Sequence, residues 1–201
     1  GHEQIAQAAA GMQERFGGDG KPTLQPFAVN DYGTGVMGGY AIALALLHRQ
    51  RTGQGQHVNT GLALTATMLQ SSFIQSYAGK EWNETRGQHA VGDGPLHRAY
   101  EATNGWVFLA ARPGELERCP ELRSLNKLEG ESLASALEWR IKSASVATWV
   151  QRLTAAGIGA HRCVPAVEEL MEDAWVQSQG LSITRDQPDL GPIRTIGPSP
   201  R

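Results

Sequence analysis

The strongest structural signal in the sequence is one long helix that starts close to Asp31. Apolar residues recur there at intervals of three, four and seven positions, which is the spacing of one face of an α-helix. They are Val36, Met37, Tyr40, Ala41, Leu44 and Leu47. Basic residues crowd the predicted end of the helix, between His48 and Arg51, and Gly53 follows them, as is typical of a helix C-terminus. The neighbouring segments have to pack around this helix.

Shorter elements are predicted on either side of the long helix. Strong helix formers fill residues 3–10, so we expect a helix there, and the glycines and prolines of 17–26 indicate a loop. A strand is predicted at 57–62 and a second helix at 63–77. Residues 79–95 then lose periodicity and become polar, so we place a domain boundary there.

A β-hairpin is the clearest prediction after the boundary. Residues 103–105, which end in Asn-Gly, stand between the runs 97–102 and 106–111, and Asn-Gly between such runs is a strong hairpin signal. Two amphipathic helices are predicted at 132–141 and 147–156, and a short helix at 168–175. The tail from Gly180 onward is predicted to be extended.

Composition and charge exclude several classes of protein. Of the 201 residues, 40% are hydrophobic and 19% are charged, which is ordinary for a globular protein and argues against disorder. The formal charge of −2 lacks the basic excess of a nucleic-acid surface. No apolar run approaches the ~18 residues of a membrane span. We therefore expect neither a nucleic-acid partner nor a membrane partner.

The two cysteines, Cys119 and Cys163, lack the spacing of metal ligands. One disulfide between them is an alternative, but we interpret them as two ordinary thiols of a protein in a reducing cytoplasm. The expected location is therefore cytoplasmic.

A glycine pattern at the start of the long helix fits a dinucleotide-binding fingerprint. Residues 33–38 read G-x-G-x-x-G and open a helix. The segment before them is a poor buried strand, because Asn30 and Asp31 interrupt it, and the acid expected about 20 residues later to bind a ribose is missing. We therefore interpret these small residues as a surface for close packing rather than as a nicotinamide or flavin site.

Asp31 is the leading candidate for a catalytic residue. No other Asp or Glu occurs between it and Glu81, and it lies where the long helix begins. Free N–H groups and the helix dipole stabilise a carboxylate at such a place, so we expect it to be ionised at neutral pH. The alternative is that Asp31 only caps the helix, because Asp is a favoured N-cap residue.

The segment from Asp31 to Val58 resembles the central signature of the family III CoA-transferases. That signature is an Asp, a helix of small residues and an Arg-Thr-Gly turn that leads into a strand, and the turn is its most specific part. The quoted matches are Asp31-Tyr32-Gly33-Thr34-Gly35, Arg51-Thr52-Gly53-Gln54-Gly55-Gln56, Gly1-His2-Glu3 with Gln7-Ala8, Gly94-Pro95, Tyr100 to Trp106, Trp149 to Gly157 and Val164-Pro165. The similarity extends over nearly the whole chain.

The resemblance implies a covalent mechanism centred on Asp31. In that family the aspartate attacks the thioester of an acyl-CoA, and CoA passes to a carboxylic acid through an aspartyl-CoA thioester. An ionised carboxylate needs no general base for this attack, but the developing oxyanions need N–H donors. By resemblance, Gly33, Gly92 and Gly94 are assigned to substrate or CoA binding, the last two near the family's glycine-rich loop. The CoA thioester is a substrate, and we expect no tightly bound cofactor and no metal.

The same family contains α-methylacyl-CoA racemases, which gives a second interpretation. In those enzymes a histidine of a Gly-His-acid motif and the signature aspartate form an acid/base pair across the substrate α-carbon. Gly1-His2-Glu3 and Asp31 resemble the two halves of that pair, and histidine suits such proton transfer. His2 is therefore assigned to the active site, although by itself it is as well explained as a terminal or surface residue. CoA transfer is the main expectation, and racemisation or epimerisation is the alternative.

The resemblance also implies an architecture. We expect an α/β fold in which residues 1–85 are the C-terminal part of a Rossmann-like large domain, 93–165 a small α+β domain, and 166–201 a linker back toward the large domain. The family's N-terminal segment, which supplies most of the CoA pocket, is not represented. A third possibility is thus a truncated, non-catalytic chain. When full length, the protein is expected to be an interlocked homodimer that binds an acyl-CoA and a carboxylic acid.

Overall fold

The computed structural model describes residues 1–82 and 84–197, in which helices are combined with two antiparallel sheets. The chain divides into two units, one of residues 1–91 and one from Gly92 onward. The α/β class expected from the sequence is confirmed. That the first unit is part of a Rossmann-like domain stays a prediction.

The described part of the first unit is built from α-helices. They are α1 (Glu3–Ala9), α2 (Met12–Gly17), α3 (Val29–Thr52) and α4 (Leu62–Leu69). α1 confirms the helix predicted at residues 3–10. Ala6, Met12 and Ala66 form the buried apolar cluster of this unit. Small side chains at the cluster let α1 and α4 approach each other closely.

α3 is the long helix that the apolar spacing predicts. Gly53 ends it in a left-handed conformation with φ 75°, and the Gly53 N–H donates to the Arg49 carbonyl at 2.8 Å. This is the predicted glycine C-terminus, because glycine adopts positive φ without a steric penalty. Ala28 is the N-cap of α3, so Asp31 is the third helical residue. The alternative interpretation of Asp31 as the N-cap is therefore wrong.

The apolar side chains of α3 remain largely exposed. Tyr32, Val36 and Tyr40 are exposed to 77%, 73% and 58%, whereas Asn30 is the buried residue of the helix. Exposed apolar side chains that follow one face of a helix are uncommon on a surface that meets only water.

Two predicted elements of the first unit are wrong. Residues 57–61 form no strand, because a strand needs a hydrogen-bonded neighbour and none occurs in residues 1–82 and 84–91. The helix predicted at 63–77 ends at Leu69. Beyond it, the N–H groups of Gln70 and Phe73 bond to carbonyls three residues back, which tightens the chain into turns instead of continuing the α-helix.

The second unit contains a four-stranded antiparallel sheet in the order β1-β2-β3-β4 and a separate β5–β6 hairpin. Its strands are β1 (Gly92–Gly94), β2 (His97–Ala102), β3 (Gly105–Ala110), β4 (Gly159–Arg162), β5 (Ser182–Gln187) and β6 (Gly191–Ile196). Its α-helices are α5 (Gly130–Ile141), α6 (Val146–Ala155), α7 (Glu168–Glu172) and α8 (Ala174–Ser178).

The predicted hairpin is confirmed as β2 and β3. The two strands pair along their whole length and end at Ala102 and Gly105, so Thr103 and Asn104 form the turn. Asn104 Oδ1 also accepts a hydrogen bond from the Val146 N–H at 2.9 Å. The turn residue thereby satisfies one of the free N–H groups at the start of α6.

The core of the second unit lies between this sheet and the helices α5 and α6, which confirm the two amphipathic helices predicted from the sequence. Trp149 and Tyr100 are its largest fully buried side chains. The Trp149 Nε1 group donates to the Ile141 carbonyl at 2.7 Å, so the polar atom of the buried indole is satisfied.

The C-terminal part differs in detail from the prediction. The single short helix expected at 168–175 is split into α7 and α8, because the Asp173 carboxylate accepts a hydrogen bond from the Val176 N–H at 3.0 Å and caps a new helix. The tail after Gly180 is extended, as expected, and it folds back on itself as β5 and β6.

Candidate active site

Asp31 lies in the first turn of α3, with its side chain exposed. The first N–H groups of an α-helix lack partners within the helix and carry a partial positive charge. That charge stabilises a negative carboxylate at this position. An exposed carboxylate at a helix N-terminus is chemically suited to attack an electrophilic carbonyl.

The backbone of Asp31 is held from another helix by Glu3. Glu3 is the first residue of α1 and only 6% exposed. Its Oε2 atom accepts a hydrogen bond from the Asp31 N–H at 2.8 Å. Its Oε1 atom accepts one from Asn30 Nδ2 at 2.7 Å and one from Gln7 Nε2 at 2.8 Å. Hydrogen bonds to a charged acceptor are roughly twice as strong as neutral ones, so Glu3 fixes α1 firmly to the start of α3.

Gln7 extends this contact to the loop that leads into α3. Its Oε1 atom accepts a hydrogen bond from the Gln25 N–H at 3.0 Å, and its Nε2 atom donates to the Gln25 carbonyl at 3.2 Å. Both backbone groups of Gln25 are thus satisfied by one fully buried amide. The Gln7 amide thereby ties α1 to the loop that leads into α3.

His2 is the N-cap residue of α1, and its side chain is exposed. Its carbonyl accepts hydrogen bonds from the N–H groups of Ile5 and Ala6, both at 3.1 Å. Because it directly precedes Glu3, its Cα atom is about 3.8 Å from the Cα of the residue that holds Asp31. The fold therefore brings the backbones of His2 and Asp31 to one place. The acid/base pairing of their side chains stays a prediction.

Gly33 has a packing role that the structure makes visible. A Cβ atom at this position would stand 2.8 Å from Thr65 Cγ2 on α4, and Thr34 Oγ1 donates to Thr65 Oγ1 at 2.8 Å. This supports close packing as the reason for the small residues at 33–38. The Gly33 N–H lies inside the helix, where it bonds to the carbonyl four residues earlier. A role of Gly33 in CoA binding stays a prediction.

Gly92 and Gly94 belong to the second unit, where they form β1 rather than an open loop. Gly92 pairs with Arg98 and Gly94 with His97, so Asp93 is an extra residue that bulges from the strand. A Cβ atom on Gly92 would overlap the His97 carbonyl oxygen, whereas no atom of residues 1–82 and 84–197 lies within 4 Å of one on Gly94. Their assignment to substrate or CoA binding stays a prediction.

A cavity of about 480 Å³ opens beside Gly94 within the second unit. Asp93 and His97 stand at its polar side, and their side chains approach to 3.6 Å between His97 Nδ1 and Asp93 Oδ2. The apolar side includes Leu96, Leu116 and Leu133. The volume lies within the roughly 300–1,000 Å³ of small-molecule sites.

Sequence reasoning missed the roles of Glu3, Gln7 and Asn30. In the sequence, Glu3 stands out only as the acid of the Gly-His-Glu motif. A signal was nevertheless present, because Glu3 and Gln7 are four residues apart and therefore lie on one face of α1, together with the buried Ala6. Polar residues on the buried face of a helix indicate a polar network.

Other types of site receive no support. Among residues 1–82 and 84–197, no group of three or more His, Cys, Asp or Glu side chains is placed to hold a metal ion. In the same residues, no helix is both long and apolar enough to cross a membrane. Cys119 and Cys163 are free thiols, as the sequence predicts.

Comparison with known proteins decides the family. The family model described as CoA-transferase family III matches residues 1–201. The chain belongs to CoA-transferase family III. The resemblance of the Asp31 segment is thereby confirmed.

Named relatives include transferases and racemases of this family. A succinyl-CoA:mesaconate CoA-transferase of Haloarcula marismortui is 28% identical over 98% of this chain and 52% of its own length. A succinyl-CoA:glutarate CoA-transferase of Mus musculus is 24% identical over 100% of this chain and 50% of its own. An α-methylacyl-CoA racemase of Homo sapiens is 26% identical over 96% of this chain and 54% of its own length. The chain thus spans about half the length of these relatives.

Solved structures share the fold. A hypothetical protein from Mycobacterium tuberculosis matches with a TM-score of 0.76 and 22% identity, over 100% of this chain and 56% of that one. A CAIB/BAIF family protein from Brucella suis matches with a TM-score of 0.72 and 22% identity, again over 100% and 56%.

Proposed function

We propose that this protein transfers coenzyme A from an acyl-CoA donor to a carboxylic acid acceptor, with Asp31 as the nucleophile. The observation that carries the proposal is the place of Asp31, an exposed carboxylate in the first turn of α3 whose backbone is held by Glu3. Membership of CoA-transferase family III supports the same reaction.

The reaction begins when an Asp31 carboxylate oxygen attacks the thioester carbonyl carbon of the donor. The C–S bond breaks, CoA leaves as a thiolate, and a mixed anhydride joins Asp31 to the acyl group. The thiolate then attacks the Asp31 carbonyl carbon, which releases the donor acid with one Asp31 oxygen and leaves an aspartyl-CoA thioester. The acceptor carboxylate enters and the two steps run in reverse. One thioester is exchanged for another, so no oxidant and no net proton are needed.

The relatives suggest which substrates to test first. The names of the Haloarcula and Mus transferases both contain succinyl-CoA, with mesaconate or glutarate as the second substrate. We therefore include succinyl-CoA as donor and a short dicarboxylic acid as acceptor in the proposal. Gly33, Gly92 and Gly94 are proposed as residues that bind substrate or CoA, as the family resemblance implies, and the cavity beside Gly94 is a proposed place for a small ligand within the second unit.

Trapping of the intermediate tests the proposal. The protein is incubated with succinyl-CoA and other acyl-CoAs, treated with sodium borohydride, digested and analysed by mass spectrometry. Reduction located at Asp31 and absent from Asp31→Asn is the expected result. Gly35→Ala is a matched control in the same helix, since no atom in the described part of the chain lies within 4 Å of a Cβ there. A protein that exchanges CoA between acids without any modification of Asp31 would overturn the proposal.

Racemisation of a 2-methylacyl-CoA is the second candidate. It is favoured by the adjacency of His2 to Glu3, which contacts Asp31, and by the racemases among the relatives. Here His2 and Asp31 would take and return the α-proton from opposite faces. Deuterium from solvent at the substrate α-carbon, lost in His2→Ala, would select this reaction over CoA transfer.

We further propose that the whole protein is a cytoplasmic homodimer. The exposed apolar surface of α3 supports assembly with other protein, and two free thiols are typical of a reducing compartment. Sedimentation equilibrium tests the assembly, and a single species of monomer mass would contradict it.

A further inference from the structure

We propose that Glu3 is a positioning residue for the reaction at Asp31. The inference rests on the proposed function of Asp31 as nucleophile, and it adds a residue that acts through the backbone. Glu3 is buried, and both of its carboxylate oxygens accept hydrogen bonds from within the protein. Its Oε2 atom accepts a hydrogen bond at 2.8 Å from the N–H of Asp31, the residue whose side chain reacts.

The bond satisfies a group that the helix cannot satisfy. Asp31 is the third residue of α3, and the N–H groups at the first helical positions have no carbonyl partner in the helix. The N-cap residue of α3 cannot satisfy this N–H either, because Ala28 has no side-chain acceptor. Glu3 fills that role from α1. The position of the Asp31 backbone therefore depends on a side chain 28 positions earlier in the chain.

The same contact couples Asp31, which both candidate reactions use, with His2, which racemisation would also use. His2 precedes Glu3, and Asp31 is bonded to it, so one carboxylate fixes the backbones of both. Nucleophilic and proton-transfer steps are sensitive to such placement, and a misplacement of about 1 Å can cost about 100-fold in rate. Loss of the hydrogen bond at the start of α3 should therefore lower the reaction rate more than it lowers the stability of the fold.

The other partners of Glu3 make a selective variant available. In Glu3→Gln, an amide oxygen at the Oε1 position keeps the bonds from Asn30 Nδ2 and Gln7 Nε2. The amide NH₂ then faces the Asp31 N–H, two donors meet, and that bond is lost. The opposite orientation of the amide would lose the Gln7 bond, and it would keep the Asn30 bond only if that amide also turned, which would bury an NH₂ group where the unpaired Asn30 Oδ1 atom lies. Glu3→Gln therefore removes the contact with Asp31 and retains most of the buried network.

Gln70→Met is the matched control. Gln70 is also buried, at 8% exposure, and its Nε2 atom donates to the Ala10 carbonyl just after α1. Loss of this bond leaves a carbonyl unsatisfied and destabilises the same unit, but no contact with α3 is removed. The control thus separates loss of stability from loss of positioning.

The first measurement is the rate of covalent adduct formation at Asp31 from an acyl-CoA, together with the KM for that acyl-CoA. For Glu3→Gln we expect the rate to fall by between about tenfold and 100-fold with KM nearly unchanged. For Gln70→Met we expect a rate within about twofold of the native one. A rate for Glu3→Gln equal to that of Gln70→Met would overturn the positioning role.

The second measurement does not depend on activity. Hydrogen exchange of the Asp31 amide, followed by NMR, should be about tenfold faster or more in Glu3→Gln, because one hydrogen bond to a charged acceptor is lost. In Gln70→Met it should rise no more than the exchange of the other protected amides of the same unit, whereas in Glu3→Gln it should rise more than they do. Equal exchange in all three proteins would overturn the contact itself. If the native protein forms no adduct at Asp31, the proposed function is wrong. The exchange measurement still shows whether Glu3 holds the Asp31 N–H.

Discussion

Gly33 on α3 and Thr65 on α4 stand so close that a Cβ atom on Gly33 would lie 2.8 Å from Thr65 Cγ2. The two helices are also joined by the 2.8 Å hydrogen bond between the Thr34 and Thr65 hydroxyls. The Thr65 side chain is buried and cannot turn away without losing that bond. We therefore attribute the glycine at position 33 to the close packing of α4 against α3 at this point.

This contact predicts opposite effects for two glycines of one helix. Gly35→Ala should stabilise the protein by up to about 1 kcal/mol, because alanine favours the helix and nothing lies near its Cβ. Gly33→Ala should be less stable than Gly35→Ala by about 1–2 kcal/mol, because the added methyl meets Thr65. Urea unfolding measures both differences.

The variant Thr65→Ser provides the control for the Gly33 prediction. It keeps the hydroxyl group and removes the methyl group that the new Cβ would meet. In the Thr65→Ser background, the extra cost of Gly33→Ala should vanish. A cost that persists there would show that the contact with Thr65 is not its cause.

The two glycines of β1 should also respond differently. Gly92→Ala should destabilise the protein by about 3 kcal/mol or more, because the new Cβ overlaps the His97 carbonyl and the backbone has to move. Gly94→Ala has open space around its Cβ, so stability should change little. If Gly94 binds substrate, KM for the acyl-CoA rises in Gly94→Ala. Thermal unfolding and steady-state kinetics check the pair, and equal stability losses would contradict the described strand.

Tyr100 should make stability depend on pH at alkaline values. Burial raises its pKa from 10.0 to about 12, while the nearby Arg98 acts in the opposite direction. Since the folded protein holds the phenol proton more tightly, the stabilisation is fully present below pH 10. It is lost as the pH rises from 10 to about 12, and it amounts to roughly 2–3 kcal/mol.

The comparison with Tyr100→Phe isolates this effect from other alkaline titrations. At pH 9 the variant should be less stable, because it lacks the hydrogen bond from the Tyr100 hydroxyl to the Pro95 carbonyl. Between pH 10 and 12 the native protein should lose that advantage, since phenylalanine has no proton to release. Urea unfolding at several pH values checks this, and a difference that stays constant would refute it.

Local signals were sufficient where one segment decides its own structure. The apolar spacing and Gly53 predicted α3 and its end, and Asn104-Gly105 predicted the β2–β3 hairpin. Both depend on backbone preferences of a few neighbouring residues. The family signature likewise pointed to Asp31 from a continuous stretch of sequence.

Contacts between distant segments were not predicted. The strand expected at 57–62 does not form, because pairing depends on a neighbouring strand that the described residues of the first unit do not supply, and Leu62 already begins α4. The alternative that Asp31 caps α3 was wrong because the helix begins two residues earlier, and the Asp31 N–H is satisfied by Glu3 from α1. β4 was missed because its partner β3 lies about 50 residues away in sequence. Such features are fixed by tertiary contacts, which a single sequence reveals poorly.

Oxygen exchange into Asp31 tests the central proposal most directly. The acceptor acid is labelled with oxygen-18 in its carboxylate, the solvent is ordinary water, and the peptide that contains Asp31 is analysed by mass spectrometry after many turnovers. The proposed mechanism returns an acceptor oxygen to Asp31 in each turnover, so Asp31 should become labelled. Transfer of CoA to the labelled acid without label in Asp31 would contradict the account.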